Sequence, residues 1–270
     1  MTNTTATQSN TQSTQSTAAE TTITLKGPRR TRRLTFRRAL NYAKKHTPHF
    51  TDRTEKFMRA MCFNHSGKMS GVPSVSTSVL MNPYCKKRIE SDCENLICKY
   101  CYAGILARIR AALAKKLARN TEFFTGEMIP FDEIPVLPDD VEIFRLEAFG
   151  DLINVIQAIN YMRFVTVNTH VFFALWTKNP WIIEGALKGI KKPRNMNIIY
   201  SAPFIDMSEE DAARIFERYP FIDKIFIVHS KKCITRKDIK IKINCGARSC
   251  DLCRRCYSKR TGKFVHELLK

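Results

Sequence analysis

Nine of the ten cysteines in this chain fall into two groups. The first is Cys85, Cys93, Cys98 and Cys101, closing with the run Cys98-Lys99-Tyr100-Cys101-Tyr102. The second is Cys233, Cys245, Cys250, Cys253 and Cys256, with two residues between each of its last three members. Thiolates this close converge with little movement of the backbone, which suits a soft metal or an iron–sulfur cluster. Cys93, Cys98 and Cys101 can supply three thiolates to a 4Fe-4S cluster and leave one iron open, with Tyr100 placed to shield it from water. The competing reading is a structural zinc with Cys85 as the fourth ligand. Cys245, Cys250, Cys253 and Cys256 bring four thiolates together within twelve residues, enough for a second, closed cluster or a compact zinc knot. Arg248, Arg254 and Arg255 beside them would offset its negative charge or bind phosphate. A third arrangement shares one metal between Cys98/Cys101 and Cys250/Cys253.

The elements that must position these thiols alternate between strand and helix. Short β-prone runs recur at 75–80, 142–148, 171–176, 197–202, 224–229 and 239–243, and the middle four start 26–29 residues apart, the length of one strand-plus-helix unit. Helical periodicity fills the gaps. Residues 102–119 carry Ile105, Leu106, Ile109, Leu113 and Leu117 on one face, and 151–164 carry Leu152, Val155, Ile156, Ile159 and Met162. Residues 180–190 open on a proline suited to a first helical turn, and 208–219 on the capping-box-like Ser208-Glu209-Glu210-Asp211. Such alternation predicts a parallel sheet with right-handed crossovers and a ligand site at the carboxyl ends of the strands. Six units fit a partial (β/α)6 barrel; a doubly wound open sheet is the rival architecture.

Three strand-end motifs carry a family resemblance. Pro73-Ser74-Val75-Ser76 with Cys98-Lys99-Tyr100-Cys101-Tyr102-Ala103, then Arg145-Leu146-Glu147-Ala148-Phe149-Gly150-Asp151, then Ala174-Leu175-Trp176-Thr177-Lys178 resemble phage proteins of the "gene product eighty-eight" family, in the same order. The resemblance covers roughly residues 68–257. That family in turn looks like a compact relative of radical S-adenosylmethionine enzymes, although the first cysteine gap here is four residues rather than three. The resemblance implies a 4Fe-4S cluster, S-adenosylmethionine as cofactor, and Gly150 and Asp151 holding its methionine amino group. It implies also an electron donor of the flavodoxin or ferredoxin type, and a host-cytoplasmic setting for a phage-encoded chain. The plain reading of Gly150-Asp151 is a strand-to-helix turn with Asp151 as its N-cap.

Charge divides the chain differently. The net charge is +20, of which residues 1–60 hold +9 and residues 231–270 hold +10, leaving the middle close to neutral. Basic ends attract phosphates, which makes nucleic acid a partner to expect. A solvated basic arm is the bland alternative. No apolar run approaches the roughly 20 residues that span a bilayer, and residues 1–22 are polar and unlike a secretory signal. A cytoplasmic chain follows, which favours metal ligands or free thiols over disulfides. The expected divisions are 1–28 as a disordered polar tail, 29–70 as a basic helical arm, 71–232 as the barrel core, and 233–270 as a cysteine-rich basic segment completing it. His229 and Lys178, at strand ends, would face a substrate pocket, with Trp176, Tyr200 and Ser201 as lining. Cys62 and His65 precede the barrel, outside both cysteine groups. Two functions compete: an iron–sulfur enzyme of the radical type with an unknown substrate, and a structural-zinc protein that binds nucleic acid through its basic ends.

Overall fold

A computed structural model describes residues 34–236 and 241–269. Seven strands form one sheet in the sequential order β1 to β7: Cys62–Phe63, Pro73–Val75, Ile143–Leu146, Phe172–Thr177, Met196–Ser201, Lys224–His229 and Phe264–Leu268. β1 and β2 pair antiparallel, and every later neighbour is parallel. The fold is therefore mixed α/β with a mostly parallel sheet. The order never reverses, which removes the doubly wound alternative and its switch point.

Side-chain alternation explains how the sheet is covered. Phe144, Phe173, Leu175, Ile198, Ile225 and Ile227 join one core with Ala158, Tyr161, Ile183 and Ala212. Those four belong to α6 (Val155–Val167), α7 (Pro180–Ala186) and α8 (Glu209–Arg218). The intervening residues Ile143, Ala174 and Ile199 pack instead with Tyr257 and the half-buried Cys250 and Cys256. The cysteine-rich segment thus packs with the sheet residues that alternate with the helix-covered ones.

The first end of the chain is built into the body. α1 (Phe36–His46) is capped by Thr35 and buries Ala39 and Ala43, with Phe36 and Leu40 half-buried. α2 (Asp52–Ala60) buries Phe57 and Met58 completely. The region read as a basic arm therefore contributes to the main core; residues 29–33 of it, and the tail 1–28, lie outside the described residues.

Three elements differ from the sequence reading, the first being the run 75–80, which meets β2 (Pro73–Val75) only at Val75. The expected helix over 102–119 is two helices, α4 (Tyr102–Ile109) and α5 (Ala111–Gly126), broken where Arg110 leaves helical geometry. The break leaves Ile105 and Ile109 exposed, although periodicity placed them on the apolar face. The last parallel strand is β7, not 239–243; residues 239–240 lie outside the described ones and 241–243 form no strand. Among the described residues no helix is long and apolar enough to cross a membrane.

Candidate metal centre

The carboxyl ends of β3, β5 and β6 carry polar groups that can do chemistry, buried except for Asp206, and they divide into two sites. At the end of β3, Glu147 is 1 % exposed and adopts φ 55°, in the left-handed region that ordinary residues avoid. Its Oε1 accepts from Tyr161 Oη (2.5 Å), Gln157 Nε2 (2.7 Å) and Thr77 Oγ1 (3.1 Å), and its Oε2 from the Thr77 amide (3.1 Å). Burial pushes its carboxyl up to about 7, against the pull of those donors. Asp151 beside it is equally well served: Thr177 Oγ1 (2.6 Å) and the Leu152 amide (2.8 Å) donate to Oδ1, and the Lys178 amide (2.9 Å) to Oδ2. A Cβ on Gly150 would come within 2.5 Å of Glu147 Oε2 and 2.6 Å of the Thr77 carbonyl. Gly150 therefore lets two buried segments close on each other, and Asp151 ties the end of β3 to the end of β4.

The second site lies where β5 and β6 end. Asp206, in the loop from β5 to α8, has φ 61°, and its amide donates to the Val228 carbonyl (2.9 Å), which holds the loop along β6. Ser230 then donates to both Asp206 oxygens, through its amide (2.8 Å) and its hydroxyl (2.7 Å). The same hydroxyl caps α9 (Lys231–Ile234) by accepting the Cys233 amide (3.1 Å). These contacts bring Asp206, the last β6 residue His229, and Cys233 together: their ligand atoms all lie within 4.8 Å of one another. His229 Nδ1 stands 3.7 Å from Asp206 Oδ1 and is buried without a hydrogen-bond partner. Burial, then the neighbouring His266, holds the His229 ring below its ordinary value, so the neutral form that ligates metals is the one present near neutral pH. One nitrogen, one sulfur and one carboxylate oxygen form a donor set that zinc accepts. A buried nitrogen with no proton partner is what such a ligand looks like before its ion.

This finding corrects the expected cofactors. Among the described residues, Asp206, His229 and Cys233 are the one group of three or more His, Cys, Asp or Glu side chains whose ligand atoms converge this closely. The expected 4Fe-4S clusters and S-adenosylmethionine are overturned as cofactors by it; the converged donors suit a small zinc-type site. The sequence-predicted ligands lie as follows. Cys93 is exposed, while Cys85 of α3 (Pro83–Ile89) lies within electrostatic reach of Cys98 and Cys101. Tyr100 is 54 % exposed. Cys245, Cys250, Cys253 and Cys256 are mutual neighbours in the segment around α10 (Cys250–Cys253), where Lys68 Nζ lies 3.1 Å from Cys245 Sγ. Burial pushes the Cys256 thiol up to about 12. Cys98 has Lys178 and Asp151 for charged neighbours, whereas Cys250 has Arg145 and Lys68. Cys62 lies 3.4 Å from Lys116 Nζ, and Lys178 Nζ donates to Ser201 Oγ (3.1 Å). None of the ten cysteines is in a disulfide.

Sequence reasoning grouped Cys233 with the wrong cysteines, weighed His229 only as a strand-end residue, and missed Asp206 altogether. Asp206 reads as one more loop acid ahead of a helix cap, and only the positive φ and the contact with Val228 distinguish it. No protein-family description, no curated protein and no solved structure matches this chain.

Proposed function

We propose that this chain is a structural-zinc protein that binds nucleic acid through its basic ends. The observation that carries the zinc reading is the convergence of Asp206, His229 and Cys233 within 4.8 Å. The three ligands come from a loop, a strand end and a short helix, so one ion would cross-link segments that the backbone alone joins loosely. The sequential parallel strands β2 to β7 support a partial (β/α)6 barrel as the scaffold, with the site at its carboxyl-end rim. The likeness to the phage family rests on the three strand-end motifs, as a proposal about ancestry and scaffold.

The nucleic-acid part rests on charge and on where the two ends meet. Arg38 of α1 pairs with Asp140 (2.5 Å), and Arg254 of the cysteine-rich segment pairs with Glu142, two residues further on. These pairs tie α1 and the cysteine-rich segment around one cleft of about 1050 Å³, lined by Lys68, Arg248 and Arg254 together with Asp140, Glu142 and Asp251. Outside the cleft, Lys231, Lys232, Lys259, Arg260 and Lys263 are exposed and supply positive charge. A phosphate backbone would gain from such a surface through counterion release.

The test is metal analysis of protein purified without added chelator. One zinc per chain in the wild type, lost in His229→Ala and in Cys233→Ser, supports the reading. Protein that folds without zinc and gains none on addition overturns it.

A further inference from the structure

The zinc reading needs His229 to present an unprotonated Nδ1, and a chain of side chains outside the ligand set dictates that it does. We infer that His266 is a positioning residue for this site, fixing the tautomer of His229, and that Glu209 in turn orients His266; the inference rests on the proposed zinc site.

The relay runs inward from solvent. Glu209, in the first turn of α8, lies with Oε1 2.9 Å from His266 Nε2. An ionised carboxylate only accepts, so His266 carries its proton on Nε2. In the neutral ring the other nitrogen, Nδ1, then has a lone pair and no proton. His266 Nδ1 lies 2.9 Å from His229 Nε2. His229 must therefore donate from Nε2, which leaves its own Nδ1 bare. That is the nitrogen facing Asp206 Oδ1 at 3.7 Å, buried with no hydrogen-bond partner. Between two neutral rings, the reverse arrangement would set two lone pairs against each other or demand a proton from a carboxylate.

The backbone explains why His266 stands where it does. β7 pairs with β6 so that Ile227 is opposite His266 and His229 opposite Leu268, which makes the two imidazoles same-face diagonal neighbours. His266 is 6 % exposed, and its backbone is clamped by Asn244: Oδ1 accepts the His266 amide (3.0 Å) while the Asn244 and Cys245 amides donate to its carbonyl (3.1 and 2.9 Å). The cysteine-rich segment thus reaches the metal centre through the position of one ring. Partners that orient a ligating histidine typically alter metal affinity 10–100-fold when removed.

The experiment uses the full chain in two measurements. Long-range nitrogen–proton NMR of the metal-free protein reads the His229 tautomer directly; Nε2–H is expected, and Nδ1–H overturns the inference whether or not zinc binds. Competition with a chromophoric chelator then gives zinc affinity. His266→Leu, which removes the acceptor, should bind roughly 10–100-fold more weakly. His266→Asn, whose amide oxygen can take the place of Nδ1, should restore most of that loss. Glu209→Ala should weaken binding by a smaller factor, because Glu209 is half exposed. Equal affinity in wild type and His266→Leu overturns the role of His266 while leaving the zinc site intact. A wild type that takes no zinc overturns the site itself, and the tautomer still judges the relay.

Discussion

Two polar sites sit at strand ends, one fully buried and one with an exposed carboxylate, Asp206, beside the buried His229 and Cys233, and they are satisfied to different degrees. Around Glu147 and Asp151 every carboxylate oxygen has a donor, and the donors come from the β2, β3 and β4 ends and from α6. Around His229 one ring nitrogen is buried with nothing to bond. Buried polar groups are nearly always paired, because an unpaired one costs about 1–3 kcal/mol. A saturated network therefore reads as architecture, and an orphaned ligand atom beside a carboxylate and a thiol reads as a place for an ion. The strand-end motif with Gly150 and Asp151 looks more like chemistry in the sequence, and in the structure its carboxylate oxygens are all hydrogen-bonded.

If that contrast holds, breaking the saturated network should cost the most. Glu147→Ala strips acceptors from Tyr161, Gln157 and Thr77 at once, and should destabilise the fold by roughly 3–5 kcal/mol in urea unfolding. Its folded fraction should bind zinc with unchanged stoichiometry, since the metal site shares none of these groups.

A pH series sharpens the same point. The Glu147 carboxyl is raised from 4.5 to about 7 in the fold, so the folded state holds a proton that the unfolded chain releases. Its stabilising contribution is complete below about 4.5 and is lost as pH rises through about 7, a change of about 3 kcal/mol. Urea midpoints measured from pH 5 to 8 should fall more steeply in the wild type than in Glu147→Gln, and parallel slopes would refute the assignment.

Zinc removal probes the open site. At a hundredfold excess over its Kd a ligand adds about 2.7 kcal/mol, which corresponds to roughly 5–10 °C in Tm for a chain of this size. A chelator should produce that shift in the wild type, and Cys233→Ser should start low and respond little.

The smallest effect concerns the basic ends. Replacing Arg248, Lys259 and Arg260 by alanine should leave Tm near its starting value and weaken binding to a DNA oligonucleotide. The slope of log K against log salt should flatten by roughly 0.9 for each phosphate that is no longer neutralised. An unchanged slope would move the interface elsewhere or remove it.

Much of the scaffold was legible from periodicity. Strand β6 falls where the apolar run 224–229 places it, and β3, β4 and β5 lie within a residue or two of theirs, because buried parallel strands read as continuous apolar runs. β7 was missed, since Phe264-Val265-His266-Glu267-Leu268 sits in a stretch dominated by charge. With it went His266. The thiols misled for a physical reason: spacing along the chain reports which sulfurs can converge locally, whereas Asp206, His229 and Cys233 meet only because β5 and β6 end side by side. His229 and Cys233, four residues apart, do show a readable spacing, but a third member from another strand's end leaves none. Arg110 is a similar case, since nothing in the run 102–119 announces the break that exposes Ile105 and Ile109.

The most direct measurement is anomalous diffraction at the zinc edge from crystals of the native protein. A zinc site built as described predicts a peak enclosed by Asp206, His229 Nδ1 and Cys233, at about 2.0–2.3 Å from each ligand atom. A peak among Cys245, Cys250, Cys253 and Cys256 with none beside His229, or no peak at all, would contradict it.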